Sequence, residues 1–371
     1  MLEVVAAFIR EGEKFLICQR PAGKNCAFGW EFPGGKIEPG ETKAEALIRE
    51  CREELAVTLD VKRELADVVH DYGSFSIHLT LLETMVAEGE PTALEHNDIR
   101  WITFEQIPDF DFCPADRKLI ERLCLRRSWL DEEAIAHIRG WDFSHIEGRY
   151  GEEEDLPWSY REIIHQYRRD HMRLLDIDTG GGEFLCSLKH PFENCAASEE
   201  YPPNAALCRE TLRPLGIDFR EGSAEKLPFE DGRFDLVLNR HGDFDAAEIH
   251  RVLKKGGCFI TQQVGAENDR ELVHLLLPGV QMPFPEQYLD IAAEKFRRAG
   301  FRILRAEEAF RPIVFFDVGA LVWFARIIEW EFPGFSVEGC IDRLWQAQEI
   351  LEQDGKIEGS IHRFLLVAEK I

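Results

Sequence analysis

Between Trp30 and Val57 the chain reads WEFPGGKIEPGETKAEALIRECREELAV, which brings together a glycine pair, Gly34-Gly35, and the charged residues Glu41, Arg49, Glu50, Glu53 and Glu54. Thr42 with Glu45 three residues later has the form of a capping box, so a helix is predicted to start there. At about 3.6 residues per turn, Ala44, Leu47, Ile48, Cys51 and Leu55 form an apolar stripe, and Glu50, Glu53 and Glu54 share an adjacent arc of about 100°. Three carboxylates in so small a volume raise each other's pKa and oppose the helix unless divalent cations sit among them. Oxygen-only ligands favour Mg2+ or Mn2+, and a diphosphate can supply the remaining oxygens. A solvated acidic face is the plainer reading of a Glu-rich helix, but it does not account for the glycine pair, Glu41 and Arg49 at their offsets.

The spacing fits GX5EX7REUXEEXGU (U apolar) at Gly35, Glu41, Arg49, Glu50, Cys51, Glu53, Glu54 and Val57, and departs from it only at Ala56, where the pattern has glycine. Residues 1–127 therefore resemble the MutT-type Nudix hydrolases, and WEFPGGKIEPGET is especially similar to members acting on nucleoside triphosphates. The resemblance implies Mg2+ or Mn2+ held by Glu50, Glu53, Glu54 and the Gly34 carbonyl. Glu95, in GEPTALEHNDIRW, would complete the metal site or act as base, so that Glu53, Glu54 and Glu95 carry the catalysis. It further implies that Arg20 contacts phosphate, Asp116 reads the base edge and Phe32 lies against the base; read structurally, the same residues are an exposed strand residue, a helix N-cap and a core aromatic. Attack at the β-phosphorus would give the monophosphate and pyrophosphate. IHLT at residues 77–80 looks like the CTP pyrophosphohydrolase-type relatives, and the base is left open, a modified or oxidised one included. Ala56 falls where a helix end wants positive φ, at a cost of about 1 kcal/mol.

Elements that would position these groups follow from periodicity. Strands are expected at Val4–Ile9, Phe15–Gln19, Ser76–Ala87 and Ile99–Thr103, and a helix at Cys113–Leu125, giving an α+β sandwich around a mixed sheet. A charged and aromatic connecting segment, 128–170, includes the acidic run GEEED. From Met172 strands alternate with helical segments: MRLLDI, a glycine turn entering a helix at TGGGEFLCSL, NCAAS ending at Glu199-Glu200, then Phe234–Asn239 and Cys258–Gln263. That alternation predicts a doubly wound parallel α/β sheet with ligands at the carboxyl ends of its strands.

LLDIDTGGGEF resembles motif I of class I S-adenosylmethionine methyltransferases, with Asp176 the acidic residue and Gly180 and Gly182 in place, but with Asp178 at the first glycine position. GSAEKLPFEDGRFDLVLNRH and VLKKGGCFI follow in the family's order, so the likeness extends over 128–371 with a Rossmann-like fold. By that resemblance Asp176, Gly180, Gly182, Glu199, Ser223 and Ala224 bind S-adenosylmethionine, Glu199 through the ribose hydroxyls and Ser223 and Ala224 near the adenine. NRHG replaces an NPPY-like tetrad; His241 is the expected base, and Asn239 or Arg240 would orient the acceptor.

Lys and Arg total 44 against 69 Asp and Glu, a net charge of −25 that repels nucleic-acid backbones and favours a nucleoside triphosphate and a small-molecule methyl acceptor as partners. Ten cysteines without a CxxC pair read as reduced core thiols of a cytoplasmic protein, and neither a signal peptide nor a membrane span is read. The resulting expectation is a bifunctional enzyme, pyrophosphohydrolase and methyltransferase. A Nudix-type nucleotide sensor regulating the methyltransferase, or a C-terminal cofactor-binding scaffold, stand as alternatives.

Overall fold

The computed structural model describes residues 1–137, 143–152 and 155–371; parts of the connecting segment and of its GEEED run, 138–142 and 153–154, lie outside the described residues. The chain divides into two compact units, Met1–Asp131 and Glu132–Ile371.

In the first unit, β1 (Leu2–Glu11), β2 (Lys14–Gln19), β3 (Trp30–Glu31) and β4 (Gly34–Lys36) precede helix α1 (Lys43–Leu55). Strands β5 (Thr58–Asp71), β6 (Ser76–Glu88) and β7 (Asp98–Ile102) follow, then helix α2 (Pro114–Ile135). The sheet runs β3-β2-β1-β6-β5, with β4 on β1 and β7 on β2; β1 and β6 are parallel and their other pairings antiparallel, so it is mixed as expected. Alternation along the strands loads both faces. Ala6, Phe8, Phe15 and Ile17 pack with Leu119, Ile120 and Leu123 of α2, while Val5, Ala7, Ile9 and Leu16 pack with Ala46, Leu47, Cys51 and Leu55 of α1.

Two sequence expectations need correction. On α1 the buried positions are Ala46, Leu47, Cys51, Glu54 and Leu55, so Ala46 enters the core while Ala44 and Ile48 stay half-buried. Strand β5 is absent from the periodicity reading because TLDVKRELADVVHD is charged; it is an edge strand paired with β6 through three register shifts, and such bulges break the two-residue alternation.

The second unit contains β8 (Tyr150–Glu152), α3 (Tyr160–Tyr167), β9 (Leu174–Ile177), α4 (Glu183–Ser187), β10 (Cys195–Glu199), α5 (Pro202–Thr211) and β11 (Asp218–Glu221). After these come β12 (Phe234–Arg240), α6 (Ala246–Val252), β13 (Leu253–Val264), α7 (Arg270–Leu276), α8 (Leu289–Arg298), β14 (Phe301–Phe315), α9 (Val318–Ile327), α10 (Ile341–Asp354) and β15 (Ile357–Lys370). Sheet order is β11-β10-β9-β12-β13-β15-β14-β8. The first five strands are parallel, and the order reverses at β9, which lies between β10 and β12. The crevice beyond the carboxyl end of β9 is therefore where a ligand belongs. β15, β14 and β8 add antiparallel pairs that the parallel expectation did not include. Helix α9 is buried along nearly its whole length and packs as core. Among the described residues no helix is long and apolar enough to cross a membrane.

Candidate functional site

The capping box forms as read: Thr42 Oγ1 accepts from Glu45 N at 3.2 Å and Glu45 Oε2 accepts from Thr42 N at 2.8 Å. Arg49 clamps the loop to the helix, donating to both Glu41 oxygens at 2.8 and 2.9 Å, to the Lys36 carbonyl at 3.1 Å and to Glu50 at 2.9 Å. The Glu50 carboxyl lies over Gly35, where an added Cβ would meet it at 2.3–2.5 Å and push the carboxylate from its place. Gly34 is a steric requirement: φ is +152° and a Cβ would fall 2.1 Å from the Val5 carbonyl. Its N–H donates to Glu54 Oε2 at 3.3 Å.

The three helix glutamates thus sit in different surroundings. Glu53 is open, with Arg49 at 3.7 Å; Glu50 is half-buried; Glu54 is buried. Desolvation, with Glu31 and Glu50 adding repulsion against the pull of His96, pushes the Glu54 carboxyl up to about 7. Such crowding of hard oxygen donors, one of them buried at an energetic cost, fits a divalent cation. Glu95 is exposed and 3.3 Å from Lys24, while its loop docks on the helix through Leu94 N to the Glu54 carbonyl at 3.0 Å. Two residues that the sequence reading passed over complete the surroundings: Glu31, within WEFPGG, and buried His96, whose Nε2 is 3.5 Å from Glu31 and 3.9 Å from Glu54. Adjacency to Glu95 was the available signal for His96.

Beside this cluster is a second polar pocket. Asp116 is buried near the start of α2; its Oδ1 accepts from Phe32 N at 2.9 Å, and burial plus Glu31 push its carboxyl up to about 8. Glu31, Cys113 and Asp116 bring their ligand atoms within 4.8 Å of one another. Arg20 ion-pairs with Glu31. The Phe32 ring is 3% exposed and packs 6.0 Å from the rings of Phe8 and Phe15, so its side chain serves the core and its backbone meets Asp116.

In the second unit the loop after β9 brings several of the residues named above together. Asp176 is buried and accepts from Thr179 Oγ1 at 2.6 Å. Gly180 and Gly182 adopt φ 63° and 83°; a Cβ on Gly180 would meet open space, whereas one on Gly182 would fall 2.4 Å from Leu212. Glu199, ending β10, is buried and accepts from Gly180 N and Tyr201 N at 2.9 Å each, so its carboxylate fixes the glycine loop. Asp178 holds φ 51°, a region suited to glycine; desolvation and Glu199 push its carboxyl up to about 7. Ala224 is buried, and Ser223 is half-buried beside Gly222, whose N–H reaches the Glu199 carbonyl at 3.3 Å. Open backbone at Gly180 beside a carboxylate that can also take a diol fits S-adenosylmethionine.

Asn239 is fully used within the protein: its amide donates to the Ile177 and Asp243 carbonyls at 3.2 and 3.1 Å, and its oxygen accepts from Thr261 at 3.1 Å and from Gln263. That corrects its expected role in orienting substrate. Arg240 lies over the Phe184 ring at 4.6 Å. His241 is an exposed residue, and desolvation of its ring with the nearby Arg363 and Arg240 pushes its pKa down. That direction disfavours a protonated ring and, with it, the role of base expected of His241.

A family model described as NUDIX domain matches residues 4–122, and one described as Methyltransferase domain matches 175–261. Over 128 residues, 34% of this chain and 95% of the relative, the chain is 38% identical to CTP pyrophosphohydrolase of Escherichia coli (strain K12). It is 33% identical over 125 residues, 33% of this chain and 95% of the relative, to 8-oxo-dGTP diphosphatase of the same organism. A demethylmenaquinone methyltransferase of Chlorobaculum parvum is 30% identical over 167 residues, 39% of this chain and 68% of the relative. Carboxylate helix and glycine-loop crevice thus have matching relatives, and the chain belongs to the Nudix hydrolases through its first unit and to the methyltransferases through its second, an enzyme with both activities.

Proposed function

We propose that the first unit hydrolyses a nucleoside triphosphate to the monophosphate and pyrophosphate with Mg2+ or Mn2+, and that the second transfers the methyl group of S-adenosylmethionine to a small molecule. The observation that carries the first half is the Glu50–Glu53–Glu54 cluster, locked to its glycine loop by Arg49. Glu50, Glu53, Glu54 and Glu95, with the Gly34 carbonyl, would hold the metal, which supplies neutralisation of the phosphate charge and polarisation of the phosphoryl oxygens.

The remaining steps belong to side chains. Glu53, exposed beyond its 3.7 Å approach to Arg49, takes the proton of the attacking water on a carboxylate oxygen. Water oxygen bonds to the β-phosphorus, the bridge to the α-phosphorus breaks, and the monophosphate leaves. Asp116, protonated at neutral pH, keeps Oδ1 on the Phe32 amide and offers a hydroxyl to an acceptor on the base. CTP and 8-oxo-dGTP, named for the relatives above, are the substrates to try first.

In the second unit Glu199 takes the ribose hydroxyls, Gly180 gives the backbone room at the methionine portion and Gly182 seats the loop against Leu212, with Asp176 holding the loop through Thr179. S-adenosylmethionine supplies the methyl electrophile. A net charge of −25 supports a small acceptor over RNA.

Turnover of CTP, 8-oxo-dGTP and the common nucleotides with Mg2+, with products identified and S-adenosylmethionine present or absent, tests the reading. Glu53→Gln is expected to lower kcat at least a hundredfold, since charge stabilisation worth several kcal/mol is lost. Undiminished turnover in that variant, or release of orthophosphate alone, overturns it.

A further inference from the structure

At the carboxyl edge of the second sheet Trp158, Gln262 and His241 form a hydrogen-bonded chain. Trp158 Nε1 donates to Gln262 Oε1 at 2.8 Å, and Gln262 Nε2 lies 3.2 Å from His241 Nε2. An indole nitrogen can only donate, so the glutamine oxygen is committed as its acceptor and the NH2 end must face the histidine. That NH2 can only donate in turn. His241 Nε2 therefore offers its lone pair, and a neutral imidazole with a lone pair on Nε2 carries its proton on Nδ1.

Gln262 holds the histidine twice, since its backbone carbonyl also accepts from His241 N at 2.9 Å and fixes the residue at φ 59°. Trp158 and Gln262 are 7% and 9% exposed, whereas His241 is an exposed residue. Next to it, Gly242 abuts the cofactor loop, where a Cβ would lie 2.6 Å from Asp178 Cβ. The charged groups around this corner are Arg240 at the end of β12, Arg363 on β15, and Asp178 and Asp243 in the adjoining loops. Both arginines disfavour an imidazolium.

We infer that His241 presents Nδ1–H as a hydrogen-bond donor to an oxygen of the methyl acceptor, a carbonyl or an ionised hydroxyl, and that Gln262, set by Trp158, is the positioning residue that selects this tautomer. The inference rests on the methyltransferase reading of the second unit. The acceptor is then a molecule with an oxygen beside the methylated atom, or one whose own oxygen arrives ionised, because His241 removes no proton.

Long-range 15N–1H spectra of the full chain labelled at histidine, with the His241 signal identified by its loss in His241→Phe, test the tautomer directly. The wild type should show a neutral Nδ1–H ring unchanged from pH 8 to pH 5.5. Gln262→Glu puts acceptors toward both neighbours and should move the proton to Nε2 and make the ring titrate; Trp158→Phe, which adds no buried charge, should release Gln262 to flip and give a tautomer mixture. An Nε2–H ring in the wild type, or variants with unmoved signals, overturns the inference. With S-adenosylhomocysteine bound, 4-nitrophenolate should show a saturable blue shift that His241→Phe abolishes; absence of that shift overturns the assigned acceptor chemistry. Calorimetry with S-adenosylmethionine separates the two readings, since a folded chain that binds none removes the methyltransferase reading and with it the acceptor, whatever tautomer the spectra report.

Discussion

Asp178 stands where the motif has glycine, and its replacement should stabilise the protein by two separable amounts. The backbone contribution comes from φ 51°, which costs a non-glycine residue about 0.5–1 kcal/mol, aspartate being among the better tolerated. The charge contribution comes from desolvation and from Glu199, Asp243 and Glu200, which carry the carboxyl from its ordinary 3.8 to about 7. At about 1.4 kcal/mol per pH unit that is an upper bound of roughly 4 kcal/mol; partial exposure and the coupling to Glu199 reduce it to about 2. The folded pKa is raised, so between pH 4 and 7 the unfolded state is ionised while the folded state stays protonated, and stability falls as pH rises through that window. Asp178→Asn removes the charge and keeps the strained backbone; Asp178→Gly removes both. Calorimetric unfolding of the full chain at pH 8 should show gains of about 2 and 3 kcal/mol in the transition of the second unit, and at pH 4 only the glycine variant should retain a gain. An asparagine gain that is equal at both pH values refutes the electrostatic argument, and a glycine variant no better than asparagine refutes the backbone argument.

Ala56→Gly relieves a helix end held at φ 59° and ψ 30° and should add about 1 kcal/mol to the first unit in urea unfolding; no gain means the turn relaxes around alanine. Asp116→Asn keeps the acceptor for Phe32 N and abolishes a penalty that grows as pH rises from about 4 to 8, so its stabilisation, on the order of 2 kcal/mol, should be present at pH 7.5 and absent at pH 4. The same variant should reorder nucleotide preference in kcat/KM, and uniform slowing of all substrates would leave Asp116 a structural role only. Glu199→Ala should weaken S-adenosylmethionine binding by about 1.5–3 kcal/mol in calorimetry, because the diol loses its acceptor and the Gly180 and Tyr201 amides lose theirs; an unchanged Kd removes Glu199 from the site.

Much of both sites was legible because it is local. Thr42, Glu45, Arg49 and Glu50 lie within one helix and its entry loop, so helical period and capping chemistry sufficed to place them, and the αL demand at Ala56 could be read from the pattern alone. The glycine turn after β9 and the strand ending in Glu199 were legible for the same reason. Even on α1 the sequence misjudged which alanine is buried, since neighbouring strands and not the helix itself decide which arc is covered. Tertiary structure alone decided what meets across long separations. Phe32 N and Asp116 are 84 residues apart, Trp158 and Gln262 are 104 apart, and His96 meets Glu31 and Glu54 only because a loop folds onto the helix end. The strands β5, at the edge of its sheet, and β14, between β15 and β8, whose charged faces and bulges hide the two-residue alternation, were likewise settled by pairing. Periodicity records which side of an element is covered, whereas the partner of a buried polar atom depends on how distant segments pack, and that is why the carboxylates could be named from the sequence while the protonation of Asp116 and the tautomer of His241 could not.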